Sequence, residues 1–364
     1  MKRRLFAPGP VELPTEVLAA LSRPVMHHRT AEFQALFADV RSKLARVFMT
    51  PGDDVAILAG SGTAGMEAAF LATVPAGARV VAINAGKFGE RWVRLARAFG
   101  ADVVELEFEW GKAASPARLA EALRQYPDTA AVLATHSETS TGVLHDVQAL
   151  AAVTRESAPS ALFLVDAVTS LSSAALRPVE WGIDAVISGS QKGLLCTPGL
   201  AYVWLSPRAR EERPGLLPSF YLDLRSELAR QAAGNSLTTP AVSLVAAQQV
   251  ALDLLLGEGI ENVWARRARL TGLLVEGAVR LGFHEFAERR TPAVAALRVP
   301  AGISAREVVR HLAGQGITIA GGQDAHADLL IRPSLLGHAD ELDVDVLLAA
   351  LGRALSAQRQ AAGT

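Results

Sequence analysis

Two residues carry the plainest chemistry in this chain. Lys192 stands in Ile187-Ser188-Gly189-Ser190-Gln191-Lys192-Gly193, just past the apolar run Trp181-Gly182-Ile183-Asp184-Ala185-Val186. That run reads as a buried strand. Asp166 closes a second apolar run, over residues 161–165. A lysine that loses solvent, or sits beside other cations, has a lowered pKa, and its amine can then act as a nucleophile towards an aldehyde. Taken singly, each residue is better read as ordinary: a solvated loop lysine, or an aspartate capping a helix. Taken together they match one cofactor chemistry. Pyridoxal phosphate needs a lysine for a Schiff base and an acid opposite its pyridine nitrogen. The acid keeps that nitrogen protonated, so the ring can accept electrons from a substrate carbanion.

A phosphate needs its own cradle. Gly60-Ser61-Gly62-Thr63-Ala64-Gly65 follows an apolar run and precedes a helical pattern. It fits the G-x-G-x-x-G fingerprint of dinucleotide binding. The dinucleotide reading, an NAD-dependent oxidoreductase, wants an acid at the end of the next strand to hold the ribose. Asn84 stands there instead. A Ser-Gly-Thr turn at a helix N-terminus offers backbone N–H groups, two hydroxyls and the positive end of a dipole. That suits a single phosphate. Considered alone, the loop is equally a plain strand-to-helix connection.

The elements that must position these residues follow from the apolar pattern. Thr15 is expected to cap a short helix through Leu21, and Thr30 a longer one. Phe33 stands where a capping box would place an acid, so no box is expected. Apolar residues from Phe33 to Phe48 share one face of that helix, and Pro51-Gly52 ends it. Strands are then expected at 55–58, 79–83, 103–107, 130–134, 161–165, 184–187 and 200–204. The first four lead into helices near 66–74, 91–99, 116–125 and 146–155. Such alternation predicts an α/β fold whose mostly parallel sheet is covered by helices, with ligands at the carboxyl ends of the strands. Residues 212–235 carry no strong period and read as a surface excursion. A helix over 242–256 leads to a boundary at Gly257-Glu258-Gly259. A smaller α/β unit is expected beyond it: helices at 263–281, 305–314 and 343–356, and strands at 293–299 and near Ile317 and Leu330. The domain expectation is an N-terminal arm (1–20), a large domain (21–257) and a small C-terminal domain (258–364), with 361–364 frayed.

Half of the 364 residues are apolar and 20% are charged, with a formal net charge of −1. That is globular composition, without a basic stripe for nucleic acid or a polybasic membrane patch. Lys2-Arg3-Arg4 resembles the start of a signal peptide, but Pro8-Gly9-Pro10 interrupts it before an apolar core forms. One cysteine, Cys196, excludes an internal disulfide and fits a reducing compartment, so a cytoplasmic location is expected. The histidines show no metal-ligand spacing, and no metal is assigned. Trp110 and Trp181 read as core.

Five blocks stand in this order along the chain: 61–69, His136-Ser137-Glu138-Thr139-Ser140-Thr141-Gly142-Val143, Asp166-Ala167-Val168-Thr169-Ser170-Leu171, Ser188-Gly189-Ser190-Gln191-Lys192-Gly193, and Ala320-Gly321-Gly322-Gln323-Asp324. With these, the chain resembles the class V aminotransferases of pyridoxal-phosphate fold type I. Within them it is most similar to the alanine–glyoxylate and serine–glyoxylate group with its soluble-hydrogenase-small-subunit relatives. The resemblance runs from Pro8 to about Leu351. It implies that Lys192 is the Schiff-base lysine and Asp166 the partner of the pyridine nitrogen. It also implies that Ser61, Gly62 and Thr63 hold the phosphate beside Gln191, and that Thr139 bonds the ring hydroxyl. Phe88 and Val168 would sandwich the ring. Thr238 would reach the phosphate of the neighbouring subunit, so a homodimer is expected. Arg332 would bind the substrate α-carboxylate, although the family's usual Arg-Ile-Gly reads Arg332-Pro333-Ser334 here.

The activity so implied is transfer of an amino group from alanine or serine to glyoxylate or pyruvate. His28 and Arg29, in the loop His27-His28-Arg29, match a region that approaches the substrate mouth in this family. A cation there would favour a dianionic donor, phosphoserine or aspartate, with 2-oxoglutarate as acceptor; packing at a dimer interface is an equal reading. A cysteine desulfurase of the same fold type needs a mobile cysteine far down the chain, whereas Cys196 lies four residues after Lys192 in an apolar stretch. A non-catalytic, cofactor-loaded protein is disfavoured by the intact set Lys192, Asp166 and Arg332.

Overall fold

The computed structural model describes residues 3–52, 54–211 and 213–362. Lys2, Glu212, Gly363 and Thr364, which enter the expectations above, lie outside the described residues. The chain opens with a strand, β1 (Arg4–Leu5), and helices α1 (Thr15–Leu21) and α2 (Ala31–Val47). Alternation follows: β2 (Val55–Ala59), α3 (Gly62–Thr73), β3 (Arg79–Asn84), α4 (Lys87–Ala98), β4 (Asp102–Glu107), α5 (Pro116–Gln125) and β5 (Ala131–Thr135). A hairpin of β6 (Ser137–Glu138) and β7 (Val143–Leu144) leads to α6 (Val147–Ser157), β8 (Leu162–Asp166), α7 (Pro178–Trp181), β9 (Ala185–Gly189) and β10 (Leu200–Leu205). Helices α8 (Pro207–Arg210), α9 (Leu224–Ala232), α10 (Val242–Glu258) and α11 (Ile260–Leu281) come next. The C-terminal part holds β11 (His284–Glu285), β12 (Leu297–Arg298), α12 (Ala305–Gly314), β13 (Ile317–Thr318), β14 (Ala320–Gly321), β15 (Leu330–Arg332) and α13 (Glu341–Ala362).

The main sheet has the order β2-β10-β9-β8-β5-β3-β4. Only β10 runs antiparallel to its neighbours; β9 through β4 are parallel. Its strands bury both faces, and side chains alternate between two cores. Val55 and Ile57 belong to the core beneath α2 and α10, while Ala56 and Leu58 belong to the core beneath α3 and α4. A third core, built on α11, α12 and α13, takes in Phe6 from the N-terminus. Strand β1 pairs in parallel with β13, so the N-terminal arm is stitched to the C-terminal part.

Several local expectations change. The N-cap of α1 is Pro14 without a side-chain bond, and Thr15 is the first helical residue. Thr30 does cap α2, its hydroxyl accepting from Phe33 N at 3.3 Å. The stretch 293–299 forms a strand only at Leu297–Arg298; Ala295 N instead donates to Pro333 O at 2.9 Å. The surface excursion contains α9, which lies on the free edge of β2. Gln231 accepts from Ile57 N at 3.0 Å and donates to Ile57 O at 2.7 Å, in place of an eighth strand. A covered edge cannot template further pairing. No single described helix is long and apolar enough to cross a membrane; α10 and α11 are so only when taken together, and they are bent by 84°.

Candidate functional site

Parallel neighbours β8 and β9 end side by side, with Asp166 opposite Ile187. Asp166 is therefore delivered to the carboxyl edge of the sheet, and Lys192 follows three residues after β9 ends. The lysine loop is wound tightly: Cys196 N donates to Ser190 O and Leu195 N to Lys192 O, both at 3.0 Å. Lys192 Nζ donates to Pro8 O at 2.6 Å. Gly9 lies flat on the lysine at φ 132°, where a Cβ would stand 2.4 Å from Lys192 Cδ. Burial is the largest influence on this amine; Asp166 opposes it, Arg332 and Arg91 reinforce it, and the pKa falls to about 8. Asp166 is 4% exposed. Its Oδ1 accepts from Val168 N at 2.8 Å, the one hydrogen bond its carboxylate makes among the described residues. Burial pushes its pKa up against the pull of that amide, Arg91 and Lys192.

The phosphate cradle forms at the start of α3. Ser61 is the N-cap, yet its side chain makes no capping bond; among the described residues its hydroxyl and the amides of Gly62 and Thr63 are unspent, while Ala64 N donates to Ser61 O at 2.8 Å. A Cβ on Gly62 would lie 2.5 Å from Val168 Cγ2, so glycine is what lets the helix end approach the Asp166 loop. Gln191 leans over the same turn and its buried Oε1 has no partner. A cradle that a Cβ would fill, a free N-cap hydroxyl and an orphaned amide oxygen together fit a small anionic group. The dinucleotide reading fails on topology: β2 is an edge strand antiparallel to β10, not half of a parallel pair with β3.

Phe88 and Thr139 come from elements tied together by a residue that sequence reasoning passed over. Glu138 is fully buried. Its Oε2 accepts from Phe88 N and Gly89 N, both at 3.0 Å, and its Oε1 from Ser140 N at 3.2 Å and Ser140 Oγ at 2.5 Å. The carboxylate thus caps the N-terminus of α4 and fixes Phe88 against the turn that carries Thr139. Burial still pushes its pKa up. Arg332 ends β15 and is 7% exposed. Its Nε donates to Gly321 O at 2.7 Å and its Nη1 to Thr139 O at 2.8 Å. Burial lowers its pKa, and Glu138 partly restores it. The Pro333-Ser334 departure leaves this placement intact, since Arg332 stays paired with Ala320 and Ser334 N donates to Phe6 O at 2.8 Å.

Arg91 was also missed. Its guanidinium lies 4.9 Å from the Phe88 ring centroid and donates to Thr63 Oγ1 at 3.3 Å. Neither Glu138 nor Arg91 has a signal in hydrophobic period; only the density of small polar residues around Glu138 marks its turn. His28, Arg29 and Thr238 are not brought to Lys192 within one chain. They line a separate surface cavity of about 550 Å3, together with Arg230, Ser236 and Thr239. Cys196 is buried with its thiol 3.8 Å from Leu244 O, and burial raises its pKa, so it is core.

The family profile "Aminotransferase class-V" matches residues 6–347. The soluble hydrogenase 42 kDa subunit of Anabaena cylindrica is 36% identical over 96% of this chain and 92% of that protein. An aspartate aminotransferase of subgroup IV from Thermus thermophilus superposes with a TM-score of 0.91 at 38% identity, covering 97% of this chain and 99% of that one. An alanine–glyoxylate aminotransferase from Nostoc sp. superposes with a TM-score of 0.92 at 31% identity, covering 98% and 96%. The chain belongs to the class V aminotransferases, the fold type I enzymes that work with pyridoxal phosphate.

Proposed function

We propose that this aminotransferase moves an amino group from a small amino acid, alanine or serine, to glyoxylate, with pyruvate as the alternative acceptor, and that Lys192, Asp166 and Arg332 do the work. The observation that carries this reading is the convergence at one sheet edge of Lys192, buried Asp166 and buried Arg332, close enough for both to act on the Lys192 amine. Pyridoxal phosphate supplies an aldehyde that takes up an amine and a ring that accepts the electron pair left by a departing α-proton. Ser61, Gly62, Thr63 and Gln191 would hold its phosphate, and Thr139 would bond its hydroxyl. Phe88 and Val168 would flank its ring. Asp166 would keep a proton on the ring nitrogen. Lys192 would anchor the aldehyde and, with its amine free, serve as the base that takes the donor's α-proton and the acid that gives it back. Arg332 spends two of its five N–H groups on carbonyls and keeps the rest for the donor carboxylate.

Only a neutral amine can load the cofactor. Reconstitution of apo-protein should therefore quicken about tenfold per pH unit below the Lys192 pKa of about 8 and level off above it. A rate that is flat from pH 6 to about pH 8 would contradict the lowered amine. A substrate panel tests specificity: alanine, serine, aspartate and phosphoserine against glyoxylate, pyruvate and 2-oxoglutarate. Alanine or serine with glyoxylate should give the highest kcat/KM. In Arg332→Leu, KM for every donor should rise about 10- to 100-fold. A second reading, aspartate as donor, is favoured by Arg91 at the rim of Phe88 and by the name of the Thermus structure. Aspartate at the head of the panel would select it.

Support for a homodimer is the surface around Thr238. Phe220 is 96% exposed and Tyr221 57%, and Tyr221 lines a cleft with Thr238. Apolar groups this bare call for a cover. A second copy would supply it, carry Thr238 towards the neighbouring phosphate and bring His28 and Arg29 towards the substrate mouth. A solution mass matching one 38.4 kDa chain would rule the dimer out. The lone buried thiol supports a cytoplasmic placement.

A further inference from the structure

Arg267 is a fully buried arginine with no carboxylate within hydrogen-bond distance among the described residues. Its Nη1 donates to Ser172 O and Ser172 Oγ, both at 2.8 Å, and its Nη2 to Gly193 O at 3.0 Å. Its Nε has no partner among the described residues. Burying a cation without a counter-charge is unfavourable. The fold retains it where its donors join two particular loops. Ser172 closes the segment that begins with Asp166 and Val168. Gly193 is the residue after Lys192. All three bonds end on these loops, and none on α11, from which Arg267 projects. Both loops are shaped around the guanidinium. Ser172 adopts φ 63°, a left-handed conformation that a serine takes only under constraint. A Cβ on Gly193 would stand 2.4 Å from Ser172 Oγ and 2.6 Å from Arg267 Nη1.

We propose that Arg267 is a positioning residue: it clamps the loop carrying Asp166 and Val168 to the loop carrying Lys192, and so sets the spacing between amine and carboxylate across the cofactor ring. The same helix touches the large core through Val263 and the C-terminal core through Leu270 and Leu274. The clamp therefore also fixes the C-terminal core, which bears Arg332, to the lysine loop. This inference rests on the assignment of Lys192 and Asp166 above.

The test uses pyridoxal-phosphate-loaded wild type, Arg267→Met and Ser172→Gly. Two readouts are the pH midpoint of the lysine–imine absorbance band and the rate of cofactor release after dilution. The third is the split between kcat and KM. In Arg267→Met the midpoint should move by about half a pH unit or more. Release should quicken about tenfold, and kcat should fall on the order of 10- to 100-fold with KM within about twofold. Ser172→Gly, which removes one acceptor and tolerates the backbone angle, should move all three readouts the same way by less. A role confined to stability would lower the melting temperature and leave the midpoint and kcat of the folded fraction alone. Folded Arg267→Met with wild-type midpoint and release overturns the proposal. If Arg267→Met does not fold, Ser172→Gly with unchanged midpoint and kcat overturns it. A wild type without any band that Lys192→Ala abolishes overturns the lysine assignment instead.

Discussion

Lys192→Ala is expected to lower turnover by about four orders of magnitude or more, because one amine serves both as the cofactor's anchor and as the proton carrier. No neighbour can stand in for it. Lys87 is paired with Glu90 and with Asp324, at 2.9 Å from the latter. Those hydrogen bonds, with Glu90 first, raise its pKa and keep it charged. Lys43 lies 2.6 Å from Asp253 and is likewise held charged against its partial burial. A charged ammonium can neither attack an aldehyde nor accept a proton. Wash-out of an α-deuteron from the donor in a single turnover measures the loss directly. Activity within about tenfold of wild type would show that the proton travels by another route.

Asp166→Asn should cut kcat/KM by about 10²- to 10³-fold while raising or sparing the stability of the apo-protein. The two signs share one cause. Without the cofactor, burial raises the Asp166 pKa above its unfolded value. The folded state then holds a proton that the unfolded state has released. The stability this proton contributes is present below the unfolded pKa and fades as pH rises through the folded one. At neutral pH the carboxylate therefore burdens the apo-fold, and asparagine removes the burden. Loaded with cofactor, the same carboxylate faces a ring nitrogen whose proton it stabilises, and a neutral amide cannot do this. Thermal melts of the apo-proteins beside kcat/KM of the loaded ones check both halves. An apo-form of Asp166→Asn that melts well below wild type would contradict the electrostatic account.

The sheet was legible because parallel strands covered on both faces read as continuous apolar runs with polar punctuation. Asp166 stood out because it ends such a run, and Lys192 because it follows one closely. Helix α9 was hidden because the face it buries is partly polar: Glu227 and Gln231 pack inward with Leu224 and Leu228, which breaks the apolar period. Gln231 satisfies the backbone of Ile57 at the sheet edge and Glu227 holds Gln231 in place, a demand that exists only once the sheet is assembled. Pairing of β1 with β13 joins residues about three hundred positions apart, and no local pattern records such a contact. Glu138 and the Pro8 carbonyl were missed for a related reason. Each acts by meeting a partner from a distant element, Phe88 N in one case and Lys192 Nζ in the other. The Schiff-base and ring-nitrogen roles came from residue chemistry and from resemblance; the support beneath them became visible only in three dimensions.

The most direct measurement is borohydride reduction of the pyridoxal-phosphate-loaded enzyme followed by peptide mass mapping. The chain has five lysines, so the adduct has few places to go. The account predicts the phosphopyridoxyl mass on the peptide containing Lys192 and on no other. An adduct on Lys43, Lys87 or Lys112, or no adduct at all, would contradict it.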